Sequence, residues 1–185
     1  MTTLVFEKNS MLETTILCNS VPAYTVSTRW PASLTDIRVA GTDALVAQIN
    51  PKTLLPDTVL FADAYDGKEL RVSKWLRHAK LRDGSTAHVL SLGGERQLLT
   101  AHEKYGLSLR ALETGSILAH WRPEMNSSPL ALVISPDIEK YETEILAAFL
   151  FEEGRIRASD AQNTKPNVNA MVFTSSTMGV GVGQM

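Results

Sequence analysis

The sequence predicts a mostly β protein (α+β by content): a closed antiparallel β-barrel of about twelve strands around a hydrophobic C-terminal helix. Short strand-like segments, bounded by turn-forming residues, recur roughly every 8 to 14 residues. One long helical segment follows them, and its centre is apolar on every side. Closure removes unpaired strand edges, and a barrel of this size is wider than its own side chains can fill. The helix is therefore predicted to fill the barrel.

The helical segment carries signals for both of its ends. Ser135 offers an oxygen for the N-cap, and Pro136 suits the first helical position. The apolar centre covers only residues 145–151, far fewer than the roughly 20 residues that a bilayer span needs. Gly154 is suited to the C-cap. We therefore predict a central helix over about residues 136–153, surrounded by protein.

Turn signals divide the rest of the chain into strands. Asp66-Gly67 and Asp83-Gly84 each separate two strand-like segments, and Asp-Gly is a strong hairpin signal. Gly41-Thr42-Asp43 and Gly93-Gly94 are also predicted turns. The predicted strands are residues 3–7, 14–18, 24–28, 37–40, 44–49, 59–62, 70–74, 79–81, 87–92, 97–102, 107–112, 117–121 and 130–134.

The end of the chain differs in composition from the rest. After residue 158 the sequence is rich in small and polar residues, and glycine alternates with valine near the end. Such a segment buries too little apolar surface to fold by itself. We predict a barrel domain over residues 1–158 and a flexible C-terminal tail over residues 159–185.

The overall composition excludes several classes of protein. The formal net charge of −2, from 18 basic and 20 acidic residues, argues against nucleic-acid binding. Cys18 is the sole cysteine, so neither an intramolecular disulfide nor a cysteine-rich zinc site is expected. The histidines form no HExxH pattern, and we expect no metal and no other cofactor. The N-terminus has no secretory signal pattern, so a cytoplasmic protein without a transmembrane segment is expected. The oligomeric state stays open.

Several short stretches follow one another in a recognisable order: residues 22–28 (PAYTVST), 46–49 with 59–61, Lys74-Trp75-Leu76 leading to Asp83-Gly84, and the helix at 138–151. This order resembles the tubby-like superfamily, which includes the tubby C-terminal domain, the plant LURP-one-related proteins and the phospholipid scramblases. Within it, the chain is most similar to a family of small proteins from mushroom-forming fungi. The resemblance covers roughly residues 1–160 and implies a twelve-stranded barrel around a hydrophobic helix.

The densest basic stretch, residues 71–82, contains the candidate ligand-binding residues. It places six cationic or titratable side chains around one tryptophan. Such a combination suits a membrane interface or a phosphate-bearing ligand. The alternative is a solvated strand and turn with the indole packed inward. The candidates are Arg71, Lys74, Trp75, Arg77 and Lys80.

A second group of residues suggests catalysis. His102 and Glu103 end one predicted strand, and His120 lies near the end of another. If those strands pair, the side chains converge with Tyr105, and a histidine with a glutamate serves general acid–base chemistry. The alternative is two ordinary histidines at strand ends.

Three functional hypotheses follow from the sequence. The leading one is a non-catalytic intracellular binding module for an anionic lipid, a membrane surface or a protein partner. The alternative is a small enzyme that acts on a hydrophobic metabolite in a pocket at the barrel mouth, with the His and Glu groups as acid and base. The third is a structural or regulatory protein whose tail recruits partners.

Overall fold

The structure is a computed structural model that describes residues 1–163, apart from residues 9, 11–12, 30–33, 53–54, 82 and 125–127. Most of the predicted tail, from residue 164 onward, lies outside the described residues, as does Arg82 of the basic stretch.

The described residues form a single antiparallel sheet and one long helix, so the predicted mostly β content is confirmed. The strands are β1 (Thr2–Phe6), β2 (Glu13–Cys18), β3 (Val21–Arg29), β4 (Leu34–Val39), β5 (Leu45–Asn50), β6 (Thr58–Phe61), β7 (Leu70–Arg71), β8 (Leu76–Lys80), β9 (Thr86–Leu92), β10 (Glu95–His102), β11 (Gly106–Ala111), β12 (Ile117–Arg122) and β13 (Ala131–Ile134). The helices are α1 (Val72–Trp75) and α2 (Glu142–Asn163), with 3₁₀ turns at Tyr65–Gly67 and Pro136–Tyr141.

The prediction of a closed barrel is wrong. The 13 strands of the described residues pair in the order β7-β6-β5-β4-β3-β2-β1-β13-β12-β11-β10-β9-β8. Neighbours in the sheet are mostly neighbours in the chain, and the pairing of β1 with β13 joins the two ends of the series. The outer strands of this order, β7 and β8, do not pair with each other, so the sheet is open.

A helical turn at the predicted strand 70–74 explains why the sheet stays open. β7 has only two residues, which pair with β6, and the chain then enters α1. Val72 and Trp75 are buried, at the spacing of one helical turn. The chain therefore forms a helical turn between β7 and β8, and no strand pairing joins these two edges. We call this junction, residues 70–80 with β7, α1 and β8, the seam.

The sheet curves around α2, which supplies the centre of the core. Strand residues alternate between the two faces, so that Leu4 and Phe6 of β1 are buried on the helix side. On α2, the five consecutive residues 145–149 are completely buried. The Phe149 ring packs edge-on against Trp121 of β12, with 5.3 Å between ring centroids. The prediction of a helix surrounded by protein is confirmed.

Polar contacts attach the start of the helical segment to two separate strands. Glu139 accepts a hydrogen bond from the hydroxyl of Thr2 on β1. Glu142 accepts one from the hydroxyl of Tyr24 on β3, at 2.7 Å. Because the two strands are not adjacent in the sheet, these contacts fix both the position and the rotation of the helix start.

The helix does not end at Gly154, as the sequence had predicted. It continues to Asn163, and two ion pairs bridge the region of the glycine. Arg155 donates to Glu152 at 2.7 and 2.9 Å, and Arg157 donates to Glu153 at 2.8 Å. Such i,i+3 and i,i+4 pairs stabilise a helix, and they offset the roughly 1 kcal/mol cost of an interior glycine.

The turn between β9 and β10 requires its first glycine for two reasons. Gly93 has a φ of +59°, a region that side chains other than glycine rarely adopt. The hydroxyl of Tyr141 also lies where a Cβ would be, only 1.8 Å from that position. The predicted Gly93-Gly94 turn therefore also packs against the ring of Tyr141, which precedes α2.

We expect Phe149→Ala to destabilise the protein by about 3–5 kcal/mol, because it leaves a cavity at the centre of the core. Urea unfolding followed by circular dichroism measures the loss. Phe151→Ala is the matched control in the same helix, and it should cost clearly less because Phe151 is only half-buried. Equal losses for the two variants would contradict the central position of Phe149.

Candidate functional site

The predicted basic residues fall on the seam and are exposed there. Arg71 belongs to β7, Lys74 to α1, and Arg77 and Lys80 to β8. Among the described residues, none of the four makes an ion pair. The seam is therefore a local concentration of uncompensated positive charge.

The pairing register divides these cations between the two faces of the sheet. On β6, Val59 is buried in the core and pairs with Leu70, which places Arg71 on the outer face. On β8, Leu76 is in the core, so alternation places Arg77 on the outer face as well. Lys80 lies three residues further and therefore on the opposite face. The outer-face cations of the seam are Arg71 and Arg77, with the exposed Lys74 between them.

The Trp75 ring is not accessible to a ligand, although the residue belongs to the same segment as the cations. It is buried, with 6% exposed, and it packs edge-on against Phe61 with 5.3 Å between ring centroids. An exposed aromatic residue of this region is Tyr65, whose ring centroid lies 5.6 Å from that of Phe61 and whose residue is 39% exposed. The sequence could not distinguish these roles because both aromatic residues lie in turn-rich segments.

The two candidate histidines do come together, but around a tyrosine. The Tyr105 ring lies 4.7 Å from His102 and 4.1 Å from His120, centroid to centroid. Lys104 adds a cation 5.2 Å from the same ring. Burial, and then the nearby His102, Lys104 and Arg122, hold the pKa of His120 below its usual value.

Glu103 is not part of this stack. Its side chain is exposed in the turn that follows β10, outside the ring contacts that His102 and His120 make with Tyr105. The structure therefore brings His102, Tyr105 and His120 together without the carboxylate that acid–base chemistry was predicted to use.

A buried pair of a histidine and a glutamate lies elsewhere, and the sequence did not reveal it. Nε2 of His88 on β9 is 3.2 Å from Oε2 of Glu152 on α2, and both residues are buried. The His78 ring of β8 packs edge-on against His88 at 5.6 Å. Burial alone would raise the pKa of Glu152, but Arg155 and His88 outweigh it and hold the pKa at about 2. This pair attaches the later part of α2 to the sheet.

Among the described residues, no three His, Cys, Asp or Glu side chains are placed to hold a metal ion together. Within the same residues, no helix is both long enough and apolar enough to cross a membrane.

Comparisons with known proteins do not assign a family. No family model matches the chain, and no curated protein matches it. Among solved structures, the chain is similar to the X-ray structure of a protein from Arabidopsis thaliana, with 9% identity and a TM-score of 0.47. The match covers 83% of this chain and 91% of the other. A likeness of this level transfers neither a family nor a function, and the resemblance to the tubby-like superfamily stays a prediction.

We expect Glu152→Gln to lower the free energy of unfolding at pH 7 by about 2–3 kcal/mol, since it leaves His88 buried without its carboxylate. The pKa of Glu152 is depressed in the folded protein, so its ionised form stabilises the fold above about pH 4.5, and this contribution is lost as the pH falls through about 2. The difference between wild type and variant should therefore shrink on acidification. Urea unfolding at a series of pH values measures it.

The neighbouring residue gives the control for that experiment. Glu153 pairs with Arg157, but about half of the arginine side chain is exposed. Such a pair is worth at most about 1 kcal/mol. Glu153→Gln should therefore change stability little at any pH, and a loss as large as that of Glu152→Gln would contradict the buried pair.

Proposed function

We propose that the protein is a non-catalytic binding module that docks on an anionic membrane surface through the outer face of the seam. The observation that carries this proposal is the concentration, in one short segment, of exposed cations that have no carboxylate partner among the described residues. Arg29, Arg38, Lys52, Lys68, Arg155 and Arg157 all contact a carboxylate within 4 Å. The exposed cations of the seam contact none among the described residues.

The local charge of the seam supports an anionic ligand. Residues 70–81 contain four Lys or Arg residues and no Asp or Glu. The chain as a whole has a formal charge of −2, so this positive segment is set against a slightly negative remainder. Uncompensated cations at one site attract an anionic surface within roughly one Debye length, about 8–10 Å.

The shape of the seam supports a surface rather than a deep pocket as the binding partner. Arg71 and Arg77 lie on the same outer face, one on each edge strand, and Lys74 is exposed on the helix between them. Side chains that project from an exposed outer face contact a surface, whereas a deep pocket would have to enclose its ligand.

The enzyme hypothesis has less support from the same contacts. The concave side of the sheet is occupied by α2, whose residues 145–149 have no exposed surface. The two histidines converge on Tyr105 instead of on Glu103. This arrangement does not place a general acid and a general base together at an open pocket.

Replacing Arg71, Lys74 and Arg77 together by Gln should weaken binding to anionic vesicles about a hundredfold at low salt. Each cation near such a surface contributes on the order of 1 kcal/mol, and 1.4 kcal/mol corresponds to a factor of ten. Co-sedimentation with phosphatidylcholine vesicles containing phosphatidylserine measures the affinity. Wild-type binding should also fall steeply as salt is raised.

Two variants that each remove one cation test whether the outer face is specific, and their matched comparison is the single variant Arg77→Gln, which should weaken binding about fivefold. Lys80→Gln removes a cation of the same segment on the opposite face, and Lys68→Gln removes one that is paired with Asp66. Each should change binding by less than about threefold. Absence of vesicle binding by the wild type at low salt contradicts the proposal, and selective binding of soluble inositol phosphates or an acidic peptide would assign the seam to another ligand.

A further inference from the structure

A second candidate site is an open cavity of about 620 Å³ beside the turn that joins β8 and β9. One wall is this turn, with Asp83, Ser85 and Thr86, and the other contains Thr100 of β10 and Arg110 of β11. The volume lies within the range of small-molecule pockets, which is about 300–1,000 Å³. None of the residues that line the cavity belongs to the seam.

The side chain of Arg110 extends toward this turn. Leu109 is buried in the core, so alternation places Arg110 on the outer face of β11. Its Nε donates to the hydroxyl of Ser108 at 3.4 Å. Ser108 pairs with Thr100, and Thr100 pairs with Ala87, the residue that directly follows the turn. The guanidinium therefore lies over the row of residues that leads across the outer face to the turn.

Most of the hydrogen-bonding capacity of this guanidinium is unused. Among the described residues, Arg110 makes no ion pair, and its bond to Ser108 uses only Nε. Arg110 is also half-buried, which strengthens its attraction for an anionic group relative to that of a fully exposed cation. The free Nη atoms of an arginine suit the two oxygens of a carboxylate.

The opposite wall carries a negative charge that its own turn holds in place. Oδ1 of Asp83 accepts from the backbone N–H of Ser85 at 2.9 Å and from the hydroxyl of Ser85 at 2.6 Å. These hydrogen bonds lower the pKa of Asp83, so its carboxylate is ionised at neutral pH. Within the described part of the chain, Asp83 forms no ion pair, either with Arg110 or with another cation. The cavity thus separates two opposite charges.

We propose that this cavity binds a small zwitterion of the α-amino-acid class, with its carboxylate on the Arg110 guanidinium and its ammonium group toward Asp83. Two opposite charges that line one cavity without contact favour a ligand with both complementary charges over a simple anion or cation. Leu81 and Ala101 offer apolar surface to the side chain of the ligand. This inference does not depend on the proposed membrane docking, because the two sites use different residues.

L-Leucine is a suitable probe, because it combines both charged groups with an apolar side chain. Its addition to the full ¹⁵N-labelled chain should shift the backbone amide signals of Gly84 and Ser85 in ¹H–¹⁵N spectra. Isocaproate, which lacks the amino group, should bind about threefold more weakly, because one exposed ion pair is lost. Isoamylamine, which lacks the carboxylate, should bind about tenfold more weakly, because the charge-assisted bonds to arginine are lost.

Single variants assign each charge of the ligand to its partner. Arg110→Gln should weaken L-leucine about tenfold and leave isoamylamine unchanged. Asp83→Asn keeps an oxygen that accepts from Ser85, and it should weaken L-leucine about threefold without weakening isocaproate. Arg96→Gln is the matched control, since Arg96 is an exposed cation of β10 that does not line the cavity, and it should leave L-leucine binding unchanged.

Four outcomes would each overturn the proposal. They are no amide shift at tens of millimolar L-leucine, equal affinity for the three probes, equal losses in Arg110→Gln and Arg96→Gln, and tighter binding of O-phosphoethanolamine than of L-leucine. The last result would assign the cavity to the headgroup of a zwitterionic lipid. The vesicle experiments on the seam use other variants and another readout, so either proposal can fail without the other.

Discussion

The packing of α2 against the concave face of the sheet is the constraint on which the rest of the structure depends. Five consecutive helical residues without any exposed surface must be surrounded on all sides. Strands far apart in the sheet order provide this enclosure: Tyr24 of β3 bonds Glu142, Trp121 of β12 packs on Phe149, and His88 of β9 contacts Glu152. Neither the sheet nor the helix can bury its apolar surface without the other, so both are expected to fold together.

The open seam follows from this packing. Because α2 already covers the inner faces of the strands, the last two edges do not need a ladder of hydrogen bonds to protect the core. Val72 and Trp75 of α1 cover the remaining gap from within. An exposed strand edge favours unwanted pairing with other chains, and charged residues at the edge oppose it. The cations of the seam satisfy that requirement, and among the residues that the structure describes they have no carboxylate partner.

The sequence predicted the local features of this fold better than the long-range ones. Asp83-Gly84 and Gly93-Gly94 are turns in the structure, because a hairpin turn is determined by a few neighbouring residues. At residues 70–75, alternation suggested a strand, whereas the three-residue spacing of Val72 and Trp75 is helical. Glu152 and Glu153 look equivalent in the sequence. In the structure, Glu152 is buried and contacts His88 of a strand that is distant in the sequence. The stack around Tyr105 has the same origin, since its two histidines come from separate strands.

The stack around Tyr105 determines what its histidines can do. Burial, together with the nearby His102, Lys104 and Arg122, lowers the pKa of His120, which disfavours the protonated form. A carboxylate beside the ring would have the opposite effect, but Glu103 is not part of the stack. The histidine that suggested acid–base chemistry in the sequence therefore lies, in the structure, among aromatic and cationic neighbours without the partner that such chemistry needs.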